Sequence, residues 1–138
     1  IFKRLGLSDL KTLYGNYKIF PRINLIHDRT NYALGPHTDN PQKLVVFLIY
    51  FENDLRDDEN VSMGTSVYVP NQRGFKCEKG THYPNKYFYK VFSADFKRNN
   101  MFSFCRTDTS FHGVEKVGEN PIERKLLQWS LYAVPNEG

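Results

Sequence analysis

The sequence predicts a mainly β, single-domain protein: a sandwich or barrel of six or seven short strands, preceded by one short helix. Three observations predict it. Eleven Phe and nine Tyr crowd a chain of 138 residues, and aromatic side chains favour pleated, half-buried surfaces over helices. Short apolar or alternating runs recur with turn residues between them, the spacing of an all-β fold. Helix start and stop signals occur together only near the N-terminus. The length fits one domain, and no internal repeat, low-complexity segment or linker divides it.

The elements follow in order. Ser8 is placed to cap a helix through Leu10, Leu13 and Tyr14, with Gly15 as its stop. "KIFPRINLIH" (18–27) alternates around Ile23 and Leu25, and Pro21, which has no N–H to give, confines its start to an edge or bulge. "TNYALG" (30–35) is a short extended piece. "KLVVFLIYF" (43–51) is apolar on both faces, which predicts a strand at the centre of a sheet, covered on both sides. "ENDLRDDEN" (52–60) is an acidic loop, and "GTSVYVP" (64–70) is a strand closed by proline. "NQRGFKCEKGTHYPNK" (71–86) is a polar loop of the length at which loops carry function. "YFYKVFS" (87–93) and "MFSFCR" (101–106) are strands around a basic turn that ends in Asn99 and Asn100. "RKLLQWSLYAV" (124–134) is the last strand.

Composition bounds the function. A net charge of +4 is mild and serves solubility. No run of five basic residues and no aromatic-spaced basic motif occurs, so no nucleic-acid partner is expected. The longest charge-free apolar run, Leu44 to Phe51, is far shorter than the roughly 18 residues of a membrane helix, so no membrane association is expected. The two cysteines, Cys77 and Cys105, form no C-x-x-C and read as free thiols in a reducing, cytoplasmic compartment. The chain opens at Ile1 rather than Met, which suggests a fragment or processed form.

The residues that carry chemistry begin with "GPHTDNPQK" (35–43). In an extended chain His37 and Asp39 point to the same side and aim an imidazole and a carboxylate at one place. A second histidine, His112 in "TDTSFHGVEKV" (107–117), follows after three or four strands, enough to return the chain to the opposite sheet. Two histidines and one carboxylate on one face, with coordination positions left open, make the facial triad of non-haem iron(II) oxygenases. A closed structural zinc site would want a fourth protein ligand. Arg124 opens the last strand twelve positions after His112, and an arginine grips a carboxylate through two parallel hydrogen bonds.

"YALGPHTDNPQKLVVFLIYF", "GTSVYVP", "NNMFSFCRTDTSFHGVEKV" and "RKLLQWSLY", in this order over residues 18 to 134, resemble the 2-oxoglutarate- and iron(II)-dependent oxygenases, above all the prolyl-4-hydroxylase-like branch. The resemblance implies a double-stranded β-helix, a jelly-roll related to the cupins, with iron at one end between two sheets. It implies His37, Asp39 and His112 as the iron ligands, and Arg124 and Tyr50 as the residues that bind the distal carboxylate of 2-oxoglutarate. It implies Fe(II), 2-oxoglutarate and O₂ as cofactor and cosubstrates, with ascorbate as a reductant, and hydroxylation of a C–H bond in a small-molecule or peptide substrate. An intact Asp39 favours hydroxylation over halogenation. The alternatives are a cupin-like metal dioxygenase that does not use 2-oxoglutarate and a non-catalytic jelly-roll binding module.

Further residues join the expected site. Tyr32, five positions before His37, stands where that family often places a cosubstrate- or substrate-side group. Gln128 shares a strand face with Arg124, Leu126 and Ser130, and points inward beside the cosubstrate. Ser66 and Tyr68 alternate onto one face and line the pocket. His27 reads as a satisfied structural residue within an apolar strand, and His82 as an exposed or lid residue. Loops 52–63 and 71–86 border the entrance. The second is read as a lid, with Gly74 and Gly80 as hinges and Phe75 and Tyr83 closing over substrate.

Overall fold

The computed structural model describes residues 10–29, 31–51, 63–77, 81–116 and 123–136. A short helix, α1 (Leu10–Asn16), leads directly into β1 (Tyr17–Asp28). There follow β2 (Leu34–His37), β3 (Lys43–Tyr50), β4 (Ser66–Pro70), β5 (Phe88–Ser93), β6 (Met101–Cys105), β7 (His112–Val114) and β8 (Arg124–Pro135). The protein is thus mainly β with one short helix among the described residues. Ser8, the acidic loop 52–60 and Gly80 lie outside them.

The strands form two four-stranded antiparallel sheets, one in the order β1-β8-β3-β6 and the other in the order β2-β7-β4-β5. Pro21 is accommodated because β1 is an edge strand, paired only to β8. β3, the most apolar segment, sits between β8 and β6, as its composition predicts. Its cover is uneven, however. Leu44, Val46, Leu48 and Tyr50 are buried between the sheets, whereas Val45, Phe47 and Ile49 on the outer face are only half-buried. There Phe47 meets Trp129 edge-on, with ring centroids 5.3 Å apart, and Ile23 and Leu25 of β1 are exposed.

The interior joins both layers. Val46, Leu48, Tyr50, Ala94 and Leu126 form one cluster, packed by Ile26, Phe96, Phe102 and Phe104. Phe92 of β5 stacks on Phe102 of β6 at 5.9 Å, and Phe104 of β6 lies 4.3 Å from the ring of His112 on β7. These contacts between the sheets are consistent with a β-sandwich.

The loop after β4 is built into the fold. Phe75 and Tyr83 pack with Tyr68, Phe88 and Phe111 in a cluster of their own. Phe111 is fully buried there, with Phe88 at 4.9 Å and Phe75 at 5.8 Å. The Tyr83 N–H donates to the Pro36 carbonyl at 2.9 Å, which ties the loop to the edge strand β2. Gly35 makes this approach possible, because a Cβ there would stand 2.6 Å from the Tyr83 carbonyl oxygen. Phe75 and Tyr83 are therefore packing residues, and the expectation that they close over a substrate is corrected.

A candidate metal centre

β2 and β7 pair antiparallel with His37 opposite His112, and residues directly opposite each other share a sheet face. Gly113 lets the two strands close up at this point, since a Cβ on it would lie 2.3 Å from the Leu34 carbonyl oxygen. Asp39 follows two residues after His37. One ligand atom from each of His37, Asp39 and His112 lies within 4.8 Å of the others, so the three expected residues converge.

The hydrogen bonds around this group decide what it can accept. His37 Nδ1 is 3.0 Å from the Gly35 carbonyl, and His112 Nδ1 is 3.0 Å from the Ser110 carbonyl. A carbonyl only accepts, so each Nδ1 carries the hydrogen and each neutral ring turns a bare Nε2 lone pair the other way. Backbone carbonyls commonly orient ligand imidazoles in this manner. Asp39 Oδ1 accepts from Lys43 Nζ at 2.9 Å, and the Asp39 main-chain oxygen accepts from Arg106 Nε at 2.9 Å. Asp39 Oδ2 is buried without a hydrogen-bond partner and stands 3.8 Å from His112 Nε2. Two lone pairs thus face each other in a largely buried site, an arrangement that a metal cation would satisfy.

Electrostatics keep the imidazoles neutral. Burial, and then the neighbouring His112 ring, lower the His37 pKa from 6.5 to about 4. Burial is also the main cause of the lowered His112 pKa, against an opposing pull from Asp39. The short distance between His112 and Asp39 is accordingly not an ion pair. Metal binding needs neutral imidazole, and these rings offer it well into acid.

A stability prediction follows. The folded-state pKa of His37 is depressed, so below about pH 6.5 the unfolded chain takes up a proton that the native ring refuses. Stability of the metal-free protein is therefore complete above about pH 6.5 and falls as pH drops towards about 4. His37 alone accounts for about 3 kcal/mol at the acid end. Urea titrations of the metal-free protein across this range measure the fall; His37→Asn should remove the His37 part of it and leave the part due to His112.

The second expected group forms at the other end of β3 and β8. Arg124 is buried; its Nε donates to the Met63 carbonyl at 2.6 Å and its Nη1 to Asp28 Oδ2 at 2.6 Å. Its guanidinium lies 5.9 Å from the Tyr50 ring and 5.6 Å from the Phe96 ring. The Tyr50 hydroxyl donates to Thr65 Oγ1 at 3.0 Å and accepts from the Thr65 N–H at 3.2 Å. Thr65 comes two residues before Val67, which pairs with His112. Tyr32 packs against Met63, and its phenol pKa is raised by burial first and by Asp28 second, which places it beside the Asp28–Arg124 pair.

Other expectations need correction. Gln128 accepts from Asn24 Nδ2 at 3.2 Å, so its partner is the neighbouring edge strand and not the Arg124 group. Ser66 and Tyr68 lie on the opposite face of β4 from Val67 and His112, and Tyr68 belongs to the outer aromatic cluster. His27 is exposed, 3.4 Å from Glu123, rather than satisfied inside. His82 is exposed, as expected, and its ring stands 4.4 Å from that of His37, at the rim of the centre. Sequence reasoning missed Lys43, Arg106, Asp28 and Thr65. Lys43, four residues after Asp39, had a local signal; the other three meet their partners only through the fold.

The chain matches no family model and no curated protein. Among solved structures, one match is a chain of the disulfide-linked pili that form Bacillus endospore appendages. It is 12% identical with a TM-score of 0.37, over 86% of this chain and 90% of that one. A similarity of that size identifies neither fold nor function. Cys77 and Cys105 are free thiols. No helix among the described residues is long and apolar enough to cross a membrane.

Proposed function

We propose that this protein is an iron(II)- and 2-oxoglutarate-dependent oxygenase that hydroxylates a C–H bond of a small-molecule or peptide substrate. One observation carries the reading: two bare imidazole nitrogens and an unpartnered carboxylate oxygen converge in a buried site, each held from behind by a hydrogen bond. Two histidines and a carboxylate are the donor set of non-haem iron(II) oxygenases. The strand order supports the finer fold reading of a double-stranded β-helix, because first-with-last pairing (β1 with β8, β2 with β7) is what winding two Greek keys into a jelly-roll produces.

Iron bound at this centre would supply the open positions at which a 2-oxo acid and O₂ react. The chain's own residues supply the rest. The Gly35 and Ser110 carbonyls fix the two rings, and Lys43 fixes the Asp39 carboxylate, so the ligands need little reorganisation. Phe104 covers the His112 ring and, with Val46 and Phe96 in the same interior cluster, helps to keep water out. Arg124, Tyr50 and Thr65 form the polar end of the cosubstrate site.

The test is release of succinate from 2-oxoglutarate by the purified protein given iron(II) and O₂. Turnover that is absent without iron and absent in His112→Ala supports the reading; no succinate under any of these conditions refutes it. The cupin-like reading without 2-oxoglutarate is favoured by one observation, the carboxylate of Asp28 already seated on Arg124. Oxygen consumption that needs iron but no 2-oxo acid would select it.

A further inference from the structure

The bonds of Arg124 set what kind of cosubstrate it can choose. A guanidinium has two edges that grip a carboxylate with paired N–H groups, one formed by Nε and Nη2 and one by Nη1 and Nη2. In this protein Nε is committed to the Met63 carbonyl and Nη1 to Asp28. The Nε edge has therefore lost one member, and on the other edge Nη1 already gives one of its two hydrogens to Asp28. Asp28 and Arg124 are both buried and together carry no net charge. A second carboxylate arriving here meets a guanidinium whose charge Asp28 already balances, and a like charge a few ångströms away, which disfavours it. Tyr50 is in the same position, with its hydroxyl hydrogen already given to Thr65.

Resting on the oxygenase reading, we propose that Asp28 is a specificity-determining residue of the cosubstrate site. It occupies Arg124 as a built-in carboxylate, reduces the preference for a dicarboxylic 2-oxo acid, and opens the site to 2-oxo acids of similar length with an uncharged tail. The remaining surroundings suit such a tail. Phe96, Tyr32 and Met63 present apolar surface next to the guanidinium.

Hydrogen bonds to charged groups each discriminate by about ten- to a hundredfold, so a free two-armed arginine would favour 2-oxoglutarate over 2-oxohexanoate by about a thousandfold. With Asp28 in place the preference should be below about thirtyfold. Calorimetric titration of the iron(II)-loaded protein with each acid, without O₂, gives the ratio of dissociation constants directly. Asp28→Asn keeps an oxygen for Nη1 and removes the charge, and should raise the ratio at least about fivefold. A parent ratio above about thirtyfold overturns the proposal, as does a ratio that Asp28→Asn leaves unchanged. Should Asp28→Asn fail to fold, the parent ratio alone decides. If neither acid binds, the oxygenase reading falls together with the proposal, whereas binding with a high ratio refutes the proposal alone.

Discussion

Asp39→Asn is expected to weaken binding of iron(II) or zinc(II) by about a thousandfold while leaving the metal-free fold within about 2 kcal/mol of the parent. The two halves of this result come from the same atom. Asp39 Oδ2 is buried, lacks a hydrogen-bond partner and faces a bare His112 Nε2 at 3.8 Å, an arrangement that costs stability until a cation arrives. An asparagine in the same rotamer keeps an oxygen for Lys43 but loses the ion pair with it, and it turns an N–H₂ towards His112, so two facing lone pairs become a donor facing an acceptor. The same change removes the anionic ligand. If about 12 kcal/mol of metal binding is shared among three ligands, losing one costs about 4 kcal/mol, or about a thousandfold in affinity. Calorimetry with either metal measures the first half and urea denaturation of the metal-free protein the second. A variant that binds metal normally would remove Asp39 from the centre. One that loses more than about 2 kcal/mol of metal-free stability would show that the carboxylate is satisfied as it stands.

Arg124→Ala should be the most destabilising single change at the site, at about 3–5 kcal/mol. Arg124 bridges Asp28 and the Met63 carbonyl, and both charged partners are buried. Truncation strands the Asp28 carboxylate without its counter-ion and empties the volume beneath Tyr50 and Phe96. Removing both charges is milder, because no orphan charge remains: Arg124→Met combined with Asp28→Asn should recover part of the lost stability, the Met63 carbonyl and the new amide at position 28 still lacking the guanidinium. The thermodynamic cycle over these variants is the measurement. A loss below about 1 kcal/mol for Arg124→Ala would mean that Asp28 reaches water.

The metal cluster was legible because its signal is local. His37 closes β2 and Asp39 stands two residues on, near enough in the chain for both to reach one centre. β3 was legible for the same reason, as an unbroken apolar run. What failed depends on pairing between distant segments. β7 is only three residues long, too short to show a pattern, yet its register with β4 settles that Val67, and not Tyr68, shares the face of His112. Asp28 meets Arg124 because β1 and β8 run antiparallel in one register along their whole length, a contact across 96 positions. The loop 71–86 misled through its average polarity, since two aromatic residues within it outweigh the rest once Phe111 and Phe88 offer them a surface.

That loop also bears on how the protein can change. Phe75 and Tyr83 are fixed posts, sunk into an aromatic cluster that adjoins the metal-binding strand, whereas His82 next to Tyr83 is exposed and rests on His37. Substitutions at the posts would loosen Phe111 and, with it, the seating of His112. Substitutions at His82 rewrite the rim and leave the frame alone. Selection for a new substrate, natural or in the laboratory, therefore has a position where variation is cheap, one residue away from a position where it is not.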